Sequence, residues 1–413
     1  MTSCHYFGNA DERIPDDVKE LVVHPLVQSI PKETCLDFEH LTRVNFNGSA
    51  LRTIGMAAFH GCISLLEIAI PPSVTMIGDF AYGDCRSLTQ VHFAEDGLLT
   101  AIGIEAFSCC ESLSEVSIPS SVETIGRFAF ARCQSLARVV LQEGLKAIDI
   151  GAFMECVKLE KVDIPKTLEV LGSSAFLRCM ALQEVNIEEG SLRVIGHRAF
   201  GRCFKLQTIR IPSTVERVES ETFTLCESLR MMKFQNGLRY LGDSSFHGCQ
   251  NLQAVALPKS VTVICRFAFQ ECRKLVSVEL GDGPLTMTIY GDAFRDCTSL
   301  INICLPSESR NTQPIPDYVQ SGDVDVNSFR YCTALENQYD DTEIPLAITS
   351  RFENFPVHKR CYYATVTSAN ELAQEIALAM QVSHKNTLDH VVDPFGMTPF
   401  HILLSGANCR LDL

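Results

Sequence analysis

The chain lacks tryptophan altogether. It also lacks the short phrases that carry common chemistry. There is no Cys-x-x-Cys pair, no His-Glu-x-x-His, no Gly-x-Gly-x-x-Gly, no Gly-Lys-Ser/Thr loop and no Gly-x-Ser-x-Gly elbow. These absences remove the usual zinc, dinucleotide, phosphate-loop and serine-hydrolase readings. The 11 histidines are scattered without close clusters. No catalytic residue, cofactor or metal is therefore expected.

Positive charge is also short. Lys and Arg number 35 against 50 Asp and Glu, for a net charge of −15. A nucleic-acid-binding surface draws most of its affinity from basic side chains. Neither nucleic acid nor an anionic membrane is an expected partner. No apolar run reaches about 18 residues, the length that reads as a membrane-spanning helix. The first residues, Met1 to Glu12, show no basic stretch followed by an apolar one. A cytoplasmic location is expected on that ground, or a secreted one if the N-terminus is truncated.

Phenylalanine and cysteine, in contrast, are abundant, at 24 and 19 of 413 residues. Both arise from one phrase, Ala-Phe-x-x-Cys-x-x-Leu, complete first at Ala58, Phe59, Cys62 and Leu65. The repeat cysteines are Cys62, Cys85, Cys110, Cys133, Cys156, Cys179, Cys203, Cys226, Cys249, Cys272, Cys297 and Cys332. Their steps are 23 to 25 residues until the last, which is 35. Tyr82 alone replaces the Phe, and Thr222, Ser245 and Ser328 replace the Ala. A fixed period of this length is the mark of a solenoid, in which each unit packs only on its neighbours.

Within a unit, the spacing of Ala58, Phe59 and Cys62 predicts one face of a short helix. Leu65, Ile68 and Ile70 alternate as the inward residues of a strand. The turns after the strand come in two kinds. One carries Pro (Pro71, Pro119, Pro165, Pro212, Pro258, Pro306) and the other Gly (Gly97, Gly144, Gly190, Gly237, Gly283), so the larger period is a pair of units. The expected fold is an α/β solenoid of about 13 units, each strand–turn–strand–short helix, plus a small helical C-terminal module.

Lines such as Leu113-x-x-Val116-x-Ile118-Pro119-Ser120-Ser121-Val122-x-x-Ile125-Gly126 carry a family resemblance. The pattern resembles the BspA-like class of leucine-rich repeats over residues 14–335, and is similar to proteins abundant in diatoms. The resemblance implies an arc-shaped or weakly twisted solenoid that binds proteins or surfaces and carries no catalytic residues.

The expected divisions are a disordered N-terminus at 1–13, a degenerate capping unit at 14–41, a polar loop insertion at 307–328 and a linker at 336–350. Residues 351–413 are expected to form a helical tail. There, Asp393-x-x-Gly396-x-Thr398-Pro399-Phe400-His401 resembles the ankyrin signature, with Leu403 where Ala is usual.

The cysteine ladder reads as packing. Equivalent side chains in stacked coils run parallel at about sheet spacing, about 5 Å, too far for a disulfide at about 3.8 Å between Cβ atoms. Free thiols in this number are expected in a reducing compartment. The surface left for function is the row of outward strand residues. Arg138, Lys161, Arg210 and Lys233 are its basic candidates for a contact strip, with Asp163 and Glu184 among them. The expectation is a monomeric, non-enzymatic interaction scaffold for an unidentified protein partner. The alternatives are a solvated face with no partner and an extracellular adhesin.

Overall fold

The structure is a computed structural model and describes residues 3–9, 12–46, 48, 50–280, 287–304, 328–329 and 331–334. Most described coils contribute one four-residue and one two-residue strand, as in Glu67–Ile70 and Met76–Ile77. Equivalent strands of successive coils pair in parallel. The longer ones form a fourteen-stranded sheet and the shorter ones a twelve-stranded sheet. In the longer strands burial alternates as the sequence alternates, with Val162 and Ile164 inside and Lys161 and Asp163 outside.

The third side of the coil corrects the expected α/β class, because the segment read as a short helix is not one. Its residues form successive turns interrupted by left-handed backbone, Ala57 at φ 49° and Gly61 at φ 72°. The same two positions recur, for example at Glu105 (51°) and Cys109 (59°). Alternate N–H groups then point to different partners. Those of Ala57, Phe59 and Gly61 donate to Asp79, Ala81 and Gly83 of the next coil, each at 2.8 Å. Those of Ala58, His60 and Cys62 turn back to Gly55, Ala57 and Phe59 at 3.2–3.3 Å. An α-helix would bond each N–H four residues back within its own segment. Here half the donors join neighbouring coils, so even the turns serve the stack.

Those turns aim one aromatic ring per coil at the centre. From Phe59 through Tyr82 to Phe329, consecutive rings stack with centroids 5.1–5.6 Å apart and planes within 12°. The cysteines form a second column beside them. Each thiol donates to a backbone carbonyl one coil back, as Cys156 Sγ does to Phe130 at 3.2 Å. Burial raises the pKa of thiols within this column such as Cys156, Cys179 and Cys226, that of Cys226 to about 12. The 16 cysteines whose side chains are described are free. Full burial by itself keeps the column reduced, so the free thiols carry no information about compartment.

The N-terminal residues are a second correction. Residues 1–13 were expected to be disordered, but Ser3–Tyr6 pairs in parallel with Glu20–Val23. Tyr6 is buried, and the backbone N–H of Phe7 donates to the Glu12 carboxylate at 2.9 Å. Ser-Cys-His-Tyr has little strand pattern of its own; the open edge of Glu20–Val23 supplies the partners. In the first coil Cys35 takes the place of the ring, since Cys62 Sγ donates to its carbonyl. Among the described residues no helix is long and apolar enough to cross a membrane. The insertion expected at 307–328, apart from Ser328, the linker at 336–350 and the ankyrin-like tail at 351–413 lie outside the described residues.

Candidate interaction face

The longer strands put two outward columns side by side across the sheet. The first column runs Glu115, Arg138, Lys161, Glu184, Thr208, Met231 and Ala254, each the register partner of the next. The second includes Asp163, Asn186, Arg210 and Lys233 two residues further along. Neighbouring strands lie about 4.8 Å apart, so side chains within a column touch.

All six residues singled out from the sequence are exposed here, but they do not act alike. Lys161 Nζ lies 3.2 Å from Glu184 and 3.5 Å from Asp163. Asn186 Nδ2 donates to Glu184 at 2.7 Å and to Asp163 at 2.8 Å. Hydrogen bonds from Asn186 and Lys161 hold the Glu184 carboxyl below its usual range. The Lys161 ammonium is raised in turn, chiefly by its bond to Glu184. This four-residue network engages the Lys161 ammonium fully and keeps a net charge of −1. Arg138 sits between Glu115 and Lys161.

Arg210 and Lys233 differ. They are register partners on adjacent strands, and neither forms an ion pair among the described residues. The strands on either side present Glu184 and Asn186, already bonded to each other, and Ala254 and Ala256. The Glu189 carboxyl feels Arg210, but both its oxygens are taken by the Ser213 backbone N–H and hydroxyl at 2.9–3.2 Å.

Beside Lys233 the sheet surface opens. A hollow of about 540 Å³ is lined by Ser213, Phe234, Gln235, Asn236, Ala256 and Pro258. Part of it reflects how far the last strand residue is covered. The last strand residue is buried in Pro-turn coils, as at Ile118, Ile164, Ile211 and Leu257. In Gly-turn coils it is half-open at Phe93, Leu141 and Phe234 but buried at Ile187 and Leu280. Phe234 packs edge-on to Phe246 at 6.1 Å and shows its other side to the hollow. Gly237 holds the turn at φ 142°, and a Cβ there would run into the Ser213 carbonyl. Its N–H donates to Ser260 Oγ at 2.9 Å.

Sequence reasoning passed over Phe234, because inward strand positions were read as core. The alternation of Pro and Gly turns was the available signal. It also passed over the other sheet, whose outward residues Met76, Ala101, Thr124, Ala147, Val170 and Val194 form an uncharged stripe. Among the described residues no three His, Cys, Asp or Glu side chains gather as metal ligands.

Stacked coils of parallel strands with an open sheet face define a leucine-rich-repeat solenoid. A family model described as "BspA type Leucine rich repeat region (6 copies)" matches residues 28–158, 100–230 and 218–342, and the chain belongs to that family. The matches stop at residue 342, and the ankyrin-like tail and helical module draw no support from them. No curated protein matches the chain. A leucine-rich repeat protein from Bacteroides ovatus has a similar crystal structure, with 28% identity over 76% of this chain and 85% of that one, and a TM-score of 0.58. The pneumococcal vaccine antigen PcpA is 20% identical over 73% of this chain and 79% of its own, with a TM-score of 0.48. A leucine-rich cell surface protein from Faecalibacterium prausnitzii is 24% identical over 73% of this chain and 89% of its own, at 0.42.

Proposed function

We propose that the chain is a non-enzymatic scaffold that engages protein partners through the face of its longer strands. The carrying observation is the pair of outward columns, exposed coil after coil above a core of stacked rings. Such a face presents many side chains at fixed spacing and loses little conformational entropy on binding, which favours recognition of an extended surface. Membership of the BspA-type family supports the same reading. Its partner is a protein and not a nucleic acid, because the net charge is −15.

Photo-crosslinking residues placed singly at Ser117, Asn186 and Ala254, and separately at Thr124, Val170 and Val194, test it in native lysate. Saturable adducts from the first set are expected. Adducts from the second set alone would transfer the role to the shorter strands and overturn the proposal.

A further inference from the structure

Like charges directly opposite one another destabilise a sheet. Elsewhere on the longer-strand face this cost is avoided. Arg43 pairs with its register partner Glu67 at 3.3 Å, and Lys161 with Glu184 at 3.2 Å. Arg138 and Lys161 are also neighbours, but each has an acid on its other side, Glu115 and Glu184. Arg210 and Lys233 form the juxtaposition with no ion pair to either among the described residues; the Glu189 carboxylate feels Arg210 but stands outside ion-pair distance. Of the nearby acids, Glu184 binds Lys161 and Asn186 through its Oε1, Glu189 binds Ser213 through both oxygens, and neither forms an ion pair with Arg210 or Lys233.

The ground around this pair is low. Ala254 and Ala256 stand together on the next strand, where most other coils carry at least one longer outward side chain. Met231, 54% exposed, adds a soft apolar edge. Beyond Lys233 lies the hollow over Phe234, with the amides of Gln235 and Asn236 at its rim. A positive pair thus adjoins an apolar hollow with polar edges, the mixture that orients a bound ligand.

We infer that this corner docks an extended acidic segment of a protein partner. A carboxylate of the segment lies over Arg210 and Lys233, and an adjacent apolar side chain enters the hollow over Phe234. The inference rests on the scaffold reading above and deepens it. Charge complementarity selects the occupant, since a carboxylate relieves the repulsion between the two cations. The net charge of −15 gives an acidic segment no long-range attraction to the molecule as a whole, so recognition is confined to the pair.

The probe is an array of ten-residue peptides with Gly/Ser flanks and every ordering of Glu, Gln, Leu and Ser at four central positions. It is read with the full chain, and the strongest binders are measured in solution by fluorescence anisotropy. Binders are expected to combine Glu with a neighbouring Leu. Arg210→Glu with Lys233→Glu is expected to weaken them at least tenfold, and Ala256→Phe, which fills the hollow from its exposed side, to weaken them likewise. Arg138→Gln is expected to leave them within about twofold. These positions are exposed, and thermal melts check that each variant folds. Equal binding of Gln peptides, no effect of the double reversal, or binding by polyphosphate and RNA without any Leu preference would each overturn the inference. If no peptide binds while cross-links still form at Asn186 and Ala254, the acidic-segment inference falls and the scaffold reading stands.

Discussion

Cys156 donates its thiol hydrogen to the carbonyl of Phe130, one coil back, at 3.2 Å. The same bond recurs from Cys179 to Phe153 and from Cys226 to Phe200. A side chain that looks reactive when counted is thus a buried donor in a column of packing groups. Iodoacetamide labelling at pH 8, mapped by mass spectrometry, is expected to spare Cys156, Cys179 and Cys226 in the native protein. It should modify them once denaturant is added. Half-buried Cys4 and Cys109 are expected to react natively. Native labelling of Cys156 as fast as Cys109 would contradict the buried column.

The same burial makes stability depend on alkaline pH. Desolvation raises Cys62 and Cys226 to about 12 from an unfolded value of 9.0. Below pH 9 both states hold the proton, and the full stability is present. Above it the unfolded chain releases protons that the folded chain keeps, so stability falls as pH rises toward 12. Urea midpoints measured under reducing conditions are expected to drop steadily between pH 8.5 and 10.5. A flat profile over that range would show the thiols to be solvated.

The ring column gives the largest expected losses. Phe153 and Phe176 are fully buried and stack at 5.3 Å. Truncating either to Ala should cost about 3–5 kcal/mol, the range for large aromatic-to-alanine changes in cores. Equilibrium urea denaturation measures this, and a cost below about 1 kcal/mol is incompatible with a cavity at that site.

Tyr82 predicts the opposite sign. Its ring sits in the column 5.2 Å from both Phe59 and Phe107, but its buried hydroxyl has no hydrogen-bond partner among the described residues. Tyr82→Phe restores the repeat residue and is expected to stabilise by about 1 kcal/mol or more, the scale of an unsatisfied buried polar group. A lower melting temperature for this variant would mean that the hydroxyl is satisfied in solution.

Gly237 tests the turn that shapes the hollow. With φ at 142° and the Ser213 carbonyl where a Cβ would stand, Gly237→Ala should cost about 1–3 kcal/mol. Gly248, also left-handed at φ 71° but facing the flexible side chain of Leu225, makes a comparison. Equal costs at both positions, from paired thermal melts, would show the backbone clash at Gly237 to be relieved by movement.

How far the sequence reached can be seen residue by residue. The phrase Ala-Phe-x-x-Cys-x-x-Leu was enough to place Ala58, Phe59, Cys62 and Leu65 in the core, because burying one apolar stripe per period is the only way such units pack. Alternation was enough to turn Lys161, Asp163, Arg210 and Lys233 outward, because strand side chains have a period of two. The turn side was misread, since a three-residue spacing suits an α-helix face and a chain of turns equally. What separates them is where the N–H of Phe59 goes, and it goes to Ala81 in another coil. Likewise Ser3–Tyr6 becomes a strand only because an open edge lies beside it. The candidate face divides in the same way. Its residues and their exposure belong to the sequence, but pairing across the stack decides that Lys161 is neutralised by Glu184 and Asp163 while Arg210 faces Lys233. Lys161 and Glu184, like Arg210 and Lys233, lie 23 residues apart in the chain and one strand apart in space, and charge acts through space.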